Sequence, residues 1–170
     1  MEKWTNKKCG EVIFDSNKDN WNQNTSVFNE KIQNRSNLAF IVEDEQKNKF
    51  GYFLSTQIQL TKYDAWISTD TNTFLFSLKS NGRLKGMMKF EIKNTNNGYF
   101  LRTKSESPYL IHLGGGAAIG LAKENSKGSS YCYQNNSYFD YHGTENPLVG
   151  GSGSGDKYFT PKRITVIQMK

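Results

Sequence analysis

What most constrains this chain is a pair of short runs with a two-residue period, set either side of a polar turn. LAFIVED (residues 38–44) and KFGYFLS (49–55) are rich in aromatic and β-branched residues, and the polar stretch 43–48 joins them. Successive side chains of a strand fall on opposite faces, so this pattern predicts a β-hairpin. The same grammar recurs along the sequence. EVIFD (11–15) predicts a strand with Val12 and Phe14 on one face. TFLFSL (73–78) is apolar nearly throughout, as a central strand covered on both faces would be. MKFEIK (88–93) and YFLRTK (99–104) flank a polar loop ending in Asn97-Gly98, which suits a hairpin turn with positive φ. PYLIHL, AAIGLA and RITVIQM (163–169) predict further buried strands. One helix stands out, in NTSVFNEKIQNRS (24–36), where Asn24 or Thr25 is placed to cap and Val27, Phe28 and Ile32 fall near one face. Many short strands with one or two small helices predict a mostly β (α+β) chain folded as an antiparallel β-sandwich.

A chain of 170 residues suffices for one domain with a real core and is short for two, so residues 1–170 read as a single domain. Hydrophobic residues make up only 35 %, but aromatics reach 14 %, and large rings supply much of the missing buried area. The Gly/Ser tract at 150–155 is followed by strand-like sequence, so it reads as an internal loop rather than a linker. Two cysteines, Cys9 and Cys132, are too few for a disulfide framework. The opening residues carry no apolar signal region and no run approaches a membrane span. Asn24, Asn34 and Asn135 stand in glycosylation-type triplets, which an asparagine-rich chain produces by chance. The expected compartment is cytoplasm or nucleus.

The net charge of +6 has an address. Residues 1–60 carry eight charges of each sign, whereas 79–104 hold Lys79, Arg83, Lys85, Lys89, Lys93, Arg102 and Lys104 against Glu91 alone. On the predicted hairpin of 88–93 with 99–104, Lys89, Glu91 and Lys93 oppose Phe90 and Ile92. Phe100, Arg102 and Lys104 likewise oppose Tyr99 and Leu101. One face is then basic and wet, able to meet phosphates and to stack a base on Phe100. A basic face equally suits an acidic protein surface.

Catalytic templates find no match. Gly114-Gly115-Gly116 lacks the third glycine of the dinucleotide fingerprint, since Ile119 occupies its place, and no Gly-Lys-Ser/Thr ending follows. These glycines read as a bulge or a close approach of backbones. Asp15, Asn17 and Asp19 begin like a calcium loop, but Asn20 replaces the turn glycine and Ser26 the bidentate glutamate. A capped turn is the plainer reading. The only histidines, His112 and His142, and the two cysteines are too dispersed for a zinc site. Nothing beside Cys132 predicts a depressed thiol pKa, and it reads as a buried strand residue. No catalytic residue, metal or cofactor is expected.

The order of these segments resembles the TLDc domain family (TBC, LysM, domain catalytic) over nearly the whole length. EVIFDSNKDNWNQNTSVFNEKI resembles the family's opening strand, serine-containing turn and short helix. FGYFLS resembles its phenylalanine-glycine strand, and FLFSL another characteristic strand. The most specific match is GGGAAIGLAKENSKGSSYCYQNNSYF, in which Gly114, Gly115, Gly116, Gly128, Ser129, Ser130 and Cys132 stand as structural signature residues. YFTPKRITVIQM resembles the closing strand, with Thr165-Val166-Ile167 where the family commonly has Glu-Val-Trp. The resemblance implies two antiparallel sheets with a few short flanking helices, in a stand-alone module. It implies a role in oxidative-stress resistance without a secure catalytic mechanism. In several members it implies association with the vacuolar-type (V-type) proton ATPase.

Overall fold

Alternating apolar positions become two sheets that bury one face each against the other. The computed structural model describes residues 1–61, 64–153 and 155–170. In chain order the elements are α1 (Glu2–Thr5), β1 (Cys9–Asp15), α2 (Phe28–Ile32), β2 (Leu38–Asp44), β3 (Lys49–Leu54), β4 (Trp66–Ile67) and β5 (Phe74–Lys79). They continue with β6 (Met88–Glu91), β7 (Tyr99–Leu101), β8 (Tyr109–Leu113), β9 (Ile119–Ala122), β10 (Ser130–Tyr133), β11 (Asp156–Phe159) and β12 (Pro161–Met169). The first sheet runs β1-β12-β2-β3-β5-β6 and the second β11-β10-β9-β8-β7-β4. Neighbouring strands are antiparallel throughout both sheets. The fold is a two-layer antiparallel β-sandwich, as the strand pattern predicts.

The core lies between the layers. Phe14, Phe40, Tyr52, Leu75 and Phe90 from the first sheet meet Tyr99, Leu101, Ile111, Ile119 and Cys132 from the second. An edge-to-face pair joins the layers, Phe50 on Phe159 at 5.1 Å, and Tyr52 meets Phe139 of the loop after β10 in the same geometry at 6.2 Å. Tyr52 is fully buried, and its hydroxyl is satisfied by donating to the Gly98 carbonyl across the sandwich at 2.8 Å. A smaller cluster covers the outer face of the first sheet, where Trp4 of α1 lies over Phe74 and Phe76. This explains why 73–78 is apolar on both faces.

The hairpin of β2 and β3 forms in register from Leu38↔Leu54 to Glu43↔Lys49. Three expectations change. In β1 the register breaks on both sides of Val12, so Val12 is exposed while Ile13 and Phe14 are buried; the alternation predicted for that strand is interrupted by bulges. α2 is shorter than its pattern, and neither Asn24 nor Thr25 caps it; the hydroxyl of Ser26 accepts from the Phe28 N–H. Most consequentially, β6 and β7 do not pair. β6 ends the first sheet beside β5, whereas β7 lies in the second between β4 and β8. Asn97 has the expected positive φ of 58°, but the turn carries the chain across the sandwich. The reason is burial: Phe90, Tyr99 and Leu101 all face the core, and placing both strands in one sheet would leave the opposite layer without them. The 150–155 loop precedes β11, and residue 154 of it lies outside the described residues.

Candidate interaction surface

Because β6 and β7 part company, the seven basic residues share no single face. Lys79 and Lys89 sit on the first sheet, Lys89 with its ammonium 4.7 Å from the centre of the Phe74 ring. Arg83 and Lys85 lie in the loop between β5 and β6, and Arg83 donates to the Leu148 carbonyl at 3.0 Å. Lys93 donates to the Asn136 carbonyl at 2.6 Å. Arg102 and Lys104 follow β7 on the far layer. Arg102 stacks 4.4 Å over Phe100 and pairs with Asp64 at 3.2 Å. Burial opposes ionisation of Asp64, yet donation from Thr103 and Arg102 holds its carboxyl below the usual range.

The second sheet carries a feature that composition alone conceals. Its register places Trp66 opposite Phe100, Phe100 opposite His112, His112 opposite Gly120, Gly120 opposite Tyr131 and Tyr131 opposite Tyr158. A single row thus crosses all six strands, aromatic at every position but Gly120. Successive rings touch in tilted or edge-to-face geometry: Trp66–Phe100 at 5.4 Å, Phe100–His112 at 6.0 Å, His112–Tyr131 at 6.1 Å and Tyr131–Tyr158 at 6.4 Å. Tyr109 joins it 4.7 Å from His112, because the register break between Tyr109 and Ile111 turns it to the outer face. Gly120 is the slot that makes the row continuous, since a Cβ there would sit 2.7 Å from Cζ of Tyr131. Trp66, Phe100, Tyr109 and Tyr131 are half-buried and Tyr158 is 69 % exposed. His112, roofed by these rings, has its pKa pushed down to about 4 by burial and then by Arg102, so it is neutral at pH 7.

The signature glycines are architectural. Gly114 and Gly116 have positive φ, and Gly115 lies flat beneath the Tyr138 ring. Gly128 packs near Pro108; Ser129 is exposed; Ser130 is buried and its hydroxyl accepts from the Ala122 N–H at 3.0 Å. Cys132 points into the core, where burial pushes its thiol well above the ordinary value, the reverse of a nucleophile's environment. His142 is on the surface with Glu91 at 3.2 Å and Asp140 at 3.6 Å. Sequence reasoning found Phe100 as a stacking residue and missed Trp66, His112, Tyr131 and Tyr158 as its partners. Their period-2 placement was visible, but the cross-strand register that aligns them was not.

Fold and surface together define a β-sandwich module with an aromatic outer face, whose signature glycines and Cys132 serve packing. Within that class the chain belongs to the TLDc domain family, whose family model matches residues 2–169. No curated protein matches the sequence.

Proposed function

We propose that this TLDc module is non-enzymatic and contributes to oxidative-stress resistance through protein contacts, made by the aromatic face of the second sheet. The observation that carries the reading is the continuous row of half-exposed Trp66, Phe100, Tyr131 and Tyr158 with Arg102 beside it. Trp, Tyr and Arg are the side chains that dominate binding energy at protein interfaces: the rings bury large rigid areas at small entropic cost, and the guanidinium adds stacking and planar hydrogen bonding. Family resemblance supports the oxidative-stress setting and makes the V-type proton ATPase the first partner to test. Nucleic-acid binding through Lys79 to Lys104 needs those cations on one face, and their division between two layers favours the protein reading.

The test replaces Trp66 and Tyr109 by alanine and measures survival of oxidant-treated cells together with partner recovery after crosslinking from the aromatic face. The expected result is loss of both, with far-ultraviolet circular dichroism unchanged. Full protection by the variant, or crosslinks to nucleic acid alone, would overturn the reading.

A further inference from the structure

Every open sheet has edges, and a free edge is a template for another strand unless something blocks it. Three of the four edges here are blunted. β1 is broken by its two register shifts, and β4 is only two residues long. The β6 edge is covered, since Asp140 donates to the Glu91 carbonyl at 2.9 Å, Lys93 to the Tyr138 carbonyl at 2.7 Å, and Ile92 bridges Phe139. β11 is different: its four residues pair with β10 without a break, and among the described residues no strand lies on its other side.

Which groups it leaves free follows from alternation. Tyr133 donates its N–H to Ala118, toward β9, so Tyr131 and Tyr133 face β9 while Ser130 and Cys132 face β11. Their partners, Phe159 and Lys157, are therefore committed to β10. Asp156 and Tyr158 point their N–H and C=O outward. Thr160, next in the alternation, confirms the direction, because its carbonyl accepts from the Glu45 N–H at 3.1 Å. Among the described residues no backbone group or side chain bonds the outward edge of Asp156 or Tyr158. A groove of about 440 Å³ adjoins this edge, lined by β11 itself together with Asp44, Glu45, Gln46, Val149, Gly150 and Gly151. Glu45 and Asp156 are exposed, and among the described residues the half-buried Lys157 is the only cation lining the groove.

We infer that the outward edge of β11 is a strand-addition site, which takes an extended segment of a partner protein as a seventh strand of the second sheet. The inference rests on the protein-contact reading and supplies its binding mode. Main-chain hydrogen bonds to Asp156 and Tyr158 give the segment its direction. Charge complementarity with Glu45 and Asp156 selects lysine or arginine on it, and an aromatic or β-branched residue packs beside Tyr158, the exposed end of the aromatic row.

The probe is a phage-displayed library of random linear peptides selected on the whole chain. Selected peptides are expected to alternate basic with aromatic or β-branched residues and to slow hydrogen exchange at the amides of Asp156 and Tyr158. Tyr158→Pro removes an outward N–H, leaves the ladder to β10 intact and is of a kind tolerated on edge strands. It should weaken binding about tenfold relative to Tyr158→Ala, which keeps the N–H, because a segment carbonyl loses its donor. If Tyr158→Pro unfolds, Glu45→Lys with Asp156→Lys serves instead and should shift selection toward acidic peptides. Recovery of no peptide, equal binding to Tyr158→Pro and Tyr158→Ala, selection unmoved by the charge reversal, or a dimer of this chain sealed through β11 overturns the inference. A cellular partner that binds Tyr158→Pro and parent alike overturns the edge site and leaves the protein-contact reading standing.

Discussion

Gly51→Ala is the sharpest test of how the first sheet is built. Gly51 is buried in β3 opposite Ile41, and its φ is not in the left-handed region, so backbone strain is no obstacle to alanine. The obstacle is space. A Cβ there would lie 2.7 Å from Cζ of Phe76 and 2.9 Å from the carbonyl carbon of Phe40, with that carbonyl's oxygen nearer still. Carbon atoms in contact sit about 3.5–4.0 Å apart, so Phe76 must retreat by roughly 0.8 Å or more and the Phe40 carbonyl, whose oxygen is nearest, by more still. Phe76 is pinned under Trp4 and beside Phe74, and Phe40 belongs to the strand paired with β3. Overpacking of this kind costs about 1–3 kcal/mol, and displacing a central strand adds weakened ladder hydrogen bonds of about 1 kcal/mol each. A loss of about 3 kcal/mol is expected in urea unfolding, read as a lower midpoint at unchanged m-value. The control is Gly82→Ala, where φ is +88° but nothing lies within 4 Å of the new Cβ. Its cost is left-handed strain alone, about 1–2 kcal/mol. If Gly51→Ala is no more destabilising than Gly82→Ala, close approach is not what keeps glycine in this strand.

Other expectations follow from single groups. His112 has a folded pKa of about 4 against about 6.5 unfolded, so the unfolded chain binds the extra proton first; stability should fall by up to about 3 kcal/mol from pH 6.5 to 4 and level off below. His112→Gln should flatten that slope, and nuclear magnetic resonance titration of the imidazole checks the value directly. Asp15 accepts two hydrogen bonds from Arg163, at 3.0 and 2.7 Å, which hold its carboxyl below the ordinary range. Its stabilisation is therefore complete above the unfolded pKa and lost as pH falls through the folded one. Asp15→Asn should lower the unfolding midpoint at pH 7 and approach the parent in strong acid. Native protein treated with a thiol reagent should label at exposed Cys9 and leave Cys132 unreacted until urea unfolds the core; rapid labelling of Cys132 in the native state would contradict its burial.

Individual strands were legible because burial imposes period 2 on each one locally. Phe90 against Lys89 and Glu91, and Tyr99 and Leu101 against Phe100 and Arg102, have the faces their alternation predicts. Partnership between strands was not legible. A seven-residue connection from β6 to β7 (92–98) ending in Asn97-Gly98 reads the same whether the chain turns back within a sheet or crosses to the other. Only the demands of the opposite layer for Tyr99 and Leu101 decide it. Short pieces such as β4, β11 and α1 escaped for a related reason: each is held by a neighbour rather than by its own pattern. Val12 failed because a bulge breaks the period, which no alternation argument anticipates.

The two outer faces of the sandwich solve one packing problem and then diverge. Each sets a glycine in mid-sheet so that an aromatic ring can lie across it, Gly51 beneath Phe76 and Gly120 beneath Tyr131. On the first sheet the resulting aromatic cluster is roofed by Trp4, and Phe74 and Phe76 are fully buried. On the second no described element roofs the row, and Tyr158 is left 69 % exposed at its end. Leaving Trp66, Phe100, Tyr109 and Tyr131 half in water forgoes stabilisation that an N-terminal turn provides on the other side. That asymmetry, more than the net charge of +6, separates the covered layer from the one available for contacts. It also places the open edge strand at the end of the aromatic row, so a segment added to β11 would extend the uncovered face rather than the covered one.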